Sequence, residues 1–132
     1  MFGLINNENG RALIPDAVVL QRNPSAAYAA GTALILSGGV AIAATDTKKP
    51  QYICCSNNAA NDGSELVAYA VPKNARFETT VTAAPASLKV GDKVTLSTDG
   101  KGVTATTTDG VAVVVDLMGA KKSGDKIMVM FE

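Results

Sequence analysis

One device recurs in this chain and limits what it can become: a glycine, a polar residue, and then a short strand-like run. It reads Gly31-Thr32-Ala33-Leu34-Ile35-Leu36-Ser37 and, sixty positions later, Gly91-Asp92-Lys93-Val94-Thr95-Leu96-Ser97. A third, partial copy, Gly124-Asp125-Lys126-Ile127-Met128-Val129-Met130-Phe131, closes the sequence. The glycine lets the chain bend sharply into a sheet, the polar residue after it can bond nearby backbone amides, and alternation then sends Leu34 and Leu36, or Val94 and Leu96, to one face. The second copy carries three extra turn residues, after which Gly39–Asp46 stands against Gly102–Asp109. An apolar run follows each Thr-Asp, Tyr52-Ile53-Cys54 in one copy and residues 111–115 in the other. The pattern predicts two copies of a three-stranded meander, about 29–56 and about 88–117.

Strand-like runs fill most of the remaining chain: 17–21, 33–36, 40–44, 51–56, 65–71, 76–82, 93–97, 103–107, 111–117 and 126–131. Gly, Pro, Asn and Asp clusters separate them, as in a sheet-rich domain with tight turns. Ser37-Gly38-Gly39, residues 98–102 and Thr108-Asp109-Gly110 supply hairpin chemistry. No stretch holds a helical apolar period beyond about two turns. Residues 24–31 (PSAAYAAG) fit a short helix or a loop equally. The predicted fold is all-β, with at most one short helix: a compact β-barrel or β-sandwich built from the two repeats. The expected organisation is an N-terminal arm over 1–15 and one β domain over 16–132, in keeping with a length of 132 residues.

Composition removes several function classes. Twelve basic and twelve acidic side chains cancel, so neither counterion release from nucleic acid nor attraction to anionic lipid is favoured. No apolar run approaches the ~20 residues of a membrane helix. The first residues lack the basic and apolar regions of a secretory leader. Histidine is absent, and with it the usual general base near neutral pH and the commonest transition-metal ligand. Cys54 and Cys55 are adjacent and would face opposite ways on a strand, so they form no disulfide framework and read as small apolar fillers. No enzyme activity, catalytic residue, metal or cofactor is expected.

The local motifs agree. Ser123-Gly124-Asp125-Lys126 matches a serine–lysine nucleophile pair, but that chemistry needs a helix turn, and here a glycine turn and a strand intervene. Asp62-Gly63 and Asp99-Gly100 lack the alternating oxygens of a calcium loop and read as turns. Gly100 and Gly102 lack the Gly-Lys-Ser/Thr ending of a phosphate loop. Lys48-Lys49-Pro50 and Lys121-Lys122 form small basic spots at what look like equivalent stations of the repeats, best read as solvated loops. The aromatic residues are too scattered for a base-stacking platform, and Tyr52 and Phe131 are expected in the core.

Two features favour assembly. Residues 1–15 (MFGLINNENGRALIP) place apolar residues around an Asn-Glu-Asn-Gly turn. Such an arm can order by adding a strand to a neighbour's sheet edge, or fold back on its own domain. Its candidate partner-binding residues are Phe2, Leu4, Ile5, Arg11, Leu13 and Ile14. Only 18% of residues are charged, and the abundance of Ala, Thr, Ser and Gly suits close packing among identical subunits at low side-chain entropy cost.

The stretch Ala29-Ala30-Gly31-Thr32-Ala33-Leu34-Ile35-Leu36 … Val40-Ala41 … Thr45-Asp46 … Tyr52-Ile53, with Leu88-Lys89-Val90-Gly91-Asp92-Lys93-Val94 … Gly102-Val103 … Gly110-Val111-Ala112, resembles the strand grammar of tailed-bacteriophage head decoration (cement) proteins. The resemblance covers about two-thirds of the chain and rests on pattern. It implies a small β-rich virion protein, made in the host cytoplasm and placed on the outer capsid surface, often as a homotrimer. There it would bridge neighbouring major capsid protein subunits, with no catalytic residue to carry over. The internal duplication departs from what that family requires. The alternative class is a small ligand- or glycan-binding β module of a phage tail or fibre, which needs an aromatic-lined concavity. A lysine- or carboxylate-based hydrolase would need Lys126 or an acidic pair in a cleft.

Overall fold

The computed structural model describes residues 1–6 and 15–132. The described residues form eleven strands and no helix. Strands β1 (Gly3–Asn6), β7 (Arg76–Val81), β8 (Lys93–Val94), β9 (Gly102–Val103), β10 (Ala112–Asp116) and β11 (Lys126–Phe131) make one sheet. Strands β2 (Ala17–Leu20), β3 (Ala33–Ser37), β4 (Val40–Ala43), β5 (Tyr52–Cys54) and β6 (Leu66–Ala70) make the other. The two mainly antiparallel sheets pack together as a sandwich-like body. Residues 24–31, open between helix and loop on sequence, are turns and isolated pairing.

All three recurrent glycines do the same work. Gly31, Gly91 and Gly124 have φ of 87°, 96° and 92°. In each case the residue after the glycine donates its amide three positions back: Thr32 to Ala29, Asp92 to Lys89, and Asp125 to Lys122, at 3.1–3.2 Å. That is the type II turn, whose third position calls for glycine. The following aspartates bind back onto the turn, Asp92 Oδ2 accepting from the Lys89 amide at 2.9 Å and Asp125 Oδ2 from the Lys121 and Lys122 amides at 2.9 and 3.1 Å.

The first two copies also dock alike. The Gly31 amide donates to Cys54 and the Gly91 amide to Val114, both at 2.8 Å. In return Cys54 donates to Thr32 at 2.9 Å and Val114 to Asp92 at 2.8 Å. The three residues added before β9 are offset by a shorter link after Asp109, so the third strands return to the sixty-residue spacing. Asp46 and Asp109 mark the same corner, with φ of 54° and 55°.

The repeated unit is not a meander, and it is longer than three strands. β3 lies between β4 and β5, because the third strand crosses to the far side of the first. β8 likewise pairs with β10, while Leu96 bridges Val103 on its other side. The likeness then extends outward at both ends. β6 follows β5 and pairs with β2, giving the order β2-β6-β5-β3-β4. β11 follows β10 and pairs with β7, giving β7-β11-β10-β8-β9. Each path even returns to its start in parallel, through Arg22–Ala41 in the first half and through Thr80–Gly102 and Val81–Val103 in the second. The chain is therefore two five-strand units of one topology, with β1 added to the second.

Alternation divides the core. Ala33, Ala44 and Ile53 from the first unit join the large apolar cluster centred on Phe77, Val94, Leu96, Val114, Ile127 and Val129 of the second. Their neighbours Leu34, Ala41, Cys54, Leu66 and Ala68 form a smaller cluster on the opposite face. The units are also joined by backbone: Asp46 and Leu96 exchange amides at 3.2 and 2.9 Å, and Ala33 donates to Gly100 at 2.8 Å. Cys54 is buried and Cys55 exposed, as strand alternation requires, and both are free thiols.

Candidate functional site

The expected arm does not stand away from the domain where it is described. Gly3–Asn6 pairs antiparallel with Arg76–Glu78, making β1 an outer strand of the chain's own sheet. Phe2 is only 3% exposed, its ring 6.4 Å from Phe77 and 5.2 Å from Phe131, edge-on to both. The candidate partner contact Phe2 is thus a core residue: its ring closes the end of the large apolar cluster, which no local sequence signal reveals. Leu4 and Ile5 are half-buried, Leu4 packing on the same cluster. Arg11, Leu13 and Ile14 lie outside the described residues.

No reactive group is poised at the sequence motifs. The Ser123 hydroxyl donates to the Thr82 carbonyl at 2.9 Å, and Lys126 Nζ pairs with Glu78 Oε1 at 2.9 Å, so the serine and lysine are engaged elsewhere. Asp62 accepts from the Ser64 hydroxyl and amide, the Arg22 guanidinium and the Ala59 amide. These bonds, the Ser64 hydroxyl foremost, hold its carboxyl well below the usual range. Ser97 Oγ and the Lys101 amide bind Asp99 at 2.7 and 3.0 Å, and its carboxyl is also lowered, chiefly through Ser97. Both are turn-closing carboxylates. Among the described residues, no three His, Cys, Asp or Glu side chains gather as metal ligands would.

Arg22 is the strongest polar organiser. Its side chain lies over the Tyr28 ring at 5.5 Å and binds Asp62, Ser64 and the carbonyls of Ala26 and Ala59 at 2.8–3.1 Å. It ties the β2–β3 loop to the β5–β6 loop, a structural task. The lysine pairs do not occupy equivalent stations: Lys48-Lys49 lies between β4 and β5, whereas Lys121-Lys122 lies between β10 and β11. A cavity of about 380 Å³ opens where the Asp99–Lys101 turn meets the first unit, over Tyr28, Thr32, Leu34 and Ile42. Tyr28 is its aromatic lining.

The sheet edges are more distinctive. β2 pairs with β6 on one side, and among the described residues no strand pairs along Ala17–Val19 on the other. Val18 and Val19 are 40% and 60% exposed there, in a run, Ala-Val-Val-Leu, with no charge. Natural edge strands are usually guarded by lysine, proline or a bulge; here Pro15 and Asp16 stand at the entry to β2, and the strand itself carries none. The run was legible as a strand, but its edge position depends on pairings with residues fifty positions away. No family model and no curated protein sequence matches this chain.

Proposed function

We propose that this chain is a structural virion protein, a decoration subunit that binds the outer surface of a tailed-phage head and bridges major capsid protein subunits. One observation carries the reading: a doubled β scaffold in which no described residue pairs along the apolar outer edge of β2, while Asp62, Asp92, Asp99 and Asp125 close turns and Ser123 and Lys126 of the serine–lysine motif bind the Thr82 carbonyl and Glu78. The sequence resemblance to head decoration proteins points the same way. Binding works by many modest contacts summed over a symmetric oligomer, the homotrimer that the resemblance implies. An N-terminal arm donated to a neighbour has less in its favour than on sequence alone, since donation would pull Phe2 from between Phe77 and Phe131. The test is co-sedimentation with expanded shells assembled from the major capsid protein of the same phage. Saturable binding at a fixed ratio to shell subunits is expected, and a chain left in the supernatant at all concentrations refutes the reading. The cavity beside Asp99 and Lys101 favours a second reading, a small-ligand or glycan-binding module of a tail or fibre. Glycan-array binding lost on filling that cavity, with no shell binding, would select it.

A further inference from the structure

Superposing the two units by their pairing pattern exposes one difference. Val18 pairs with Ala68 as Phe77 pairs with Val129, and both ladders continue to the third strands, Ala68 to Cys54 and Val129 to Val114. Val18 and Val19 therefore correspond to Phe77 and Glu78. In the second unit that edge is occupied: β1 lies along it, Leu4 opposite Phe77 and Gly3 opposite Glu78. Phe2 covers the open end, and Phe77 is 0% exposed. In the first unit the corresponding Val18, on the inner face with Ala68, is 40% exposed. The same fold thus presents one strand-accepting edge filled and its twin unfilled by any described residue.

We infer that the outer edge of β2 is a strand-acceptor site, and that its occupant is an uncharged, extended segment of the shell protein running antiparallel to β2. The chain shows what such an edge takes: Phe2-Gly3-Leu4-Ile5-Asn6, a bulky ring at the start, then glycine and apolar residues with no charge. A charge laid over Val18, on the inner face, would be buried without a partner, which selects against charged donors there. Backbone pairing supplies the adhesion, and a large side chain laid over Val18 supplies the fit, as Phe2 does over Phe77. The assignment of the donor to the shell rests on the decoration reading. The acceptor edge itself does not. Of the two behaviours open for the N-terminal segment on sequence, the chain folds its own strand back onto β7, and under this inference it receives another along β2.

The experiment has two arms. In the first, the capped peptide Met-Phe-Gly-Leu-Ile-Asn is titrated to millimolar concentration into the 15N-labelled full chain. Saturable shifts at 17–20 are expected, and they should weaken about tenfold or more in Val18→Lys, which puts a charge where the covering side chain would lie. Far-ultraviolet circular dichroism checks that the variant is folded. Val19→Lys, at the position that is Glu78 on the filled edge, should leave the shifts in place. The inference is overturned by no shift, by shifts at 76–78 instead, or by β2 amides already protected from exchange in the free monomer, since the chain would then cover its own edge. In the second arm, wild type and Val18→Lys are compared for sedimentation with shells, with Val19→Lys as the control that should still bind. Loss of shell binding in Val18→Lys supports the shell as donor. Shell binding that survives Val18→Lys overturns the assignment, as does a concentration-dependent self-association that Val18→Lys abolishes, which would make a second copy the occupant. Wild type that binds the peptide but no shell refutes the decoration reading while leaving the acceptor edge standing.

Discussion

Replacing Phe2 with alanine tests the account of the N-terminus most directly. The ring is 3% exposed and edge-on to Phe77 and Phe131. Phenylalanine-to-alanine changes at such sites cost about 3–5 kcal/mol, of which each aromatic pair supplies about 0.5–1.5 kcal/mol. A terminal strand sets a ceiling on that cost. Once the loss exceeds the free energy holding β1 on β7, the strand detaches and the remaining domain pays no more. The expected destabilisation is therefore about 3 kcal/mol, near the lower end. With a urea m-value of about 2 kcal/mol per molar, the unfolding midpoint falls by about 1.5 M. Urea titrations of wild type, Phe2→Ala and Phe2→Leu, followed by far-ultraviolet circular dichroism, measure it, and Phe2→Leu should recover more than half. A loss below about 1 kcal/mol in Phe2→Ala would mean that the ring is not held in this core in solution, and the contrast between a filled and an unfilled edge would go with it.

Gly91→Ala should cost about 1–2 kcal/mol from its left-handed backbone alone, because an added Cβ there meets nothing within 4 Å. Gly110→Ala should cost several times more, since its Cβ would overlap the Lys93 backbone, and thermal melts of the pair should rank them in that order. Asp62, Asp99 and Asp125 all have lowered carboxyl pKa values, so their contribution is present above the ordinary carboxylate range and is lost as pH falls through the folded values. Urea midpoints should hold steady from pH 7 to about pH 5 and drop below about pH 4, less steeply in Asp62→Asn. Burial, with a smaller push from Cys55, raises the Tyr69 phenol to about 12. Its stabilising contribution is present below the ordinary value of about 10 and is lost as pH rises towards 12, and ultraviolet titration should show one tyrosine ionising late.

Local signals carried much of this fold. Nine of the ten strand-like runs coincide with an observed strand, because period-two alternation and Gly, Asp and Asn turns act within a few residues; the run 103–107 holds only Val103 of β9. Ser37-Gly38-Gly39-Val40 illustrates the point: two glycines with φ of 58° and 83° close a two-residue hairpin. Strand order was not legible, since whether β5 lands beside β4 or across β3 is set by long-range packing. The outer members of the repeat were hidden for another reason. Ala-Val-Val-Leu of β2 and Arg-Phe-Glu-Thr-Thr-Val of β7 share a place in the topology but almost no letters. Phe2 looked like an arm residue because its neighbours in space, Phe77 and Phe131, lie far along the chain. The edge position of β2 was invisible for the same reason, being set by its pairing with β6, fifty positions away.

The two interiors differ in bulk at matched positions. Where the second unit has Val114 facing Val129, the first has Cys54 facing Ala68. A strand pair filled by smaller groups forfeits dispersion contacts and apolar area, about 0.8 kcal/mol for each missing methylene. The half nearer the amino terminus should consequently be the softer one, opening as a partial unit while its sibling stays closed. Under mechanical load, such a body yields in stages rather than all at once.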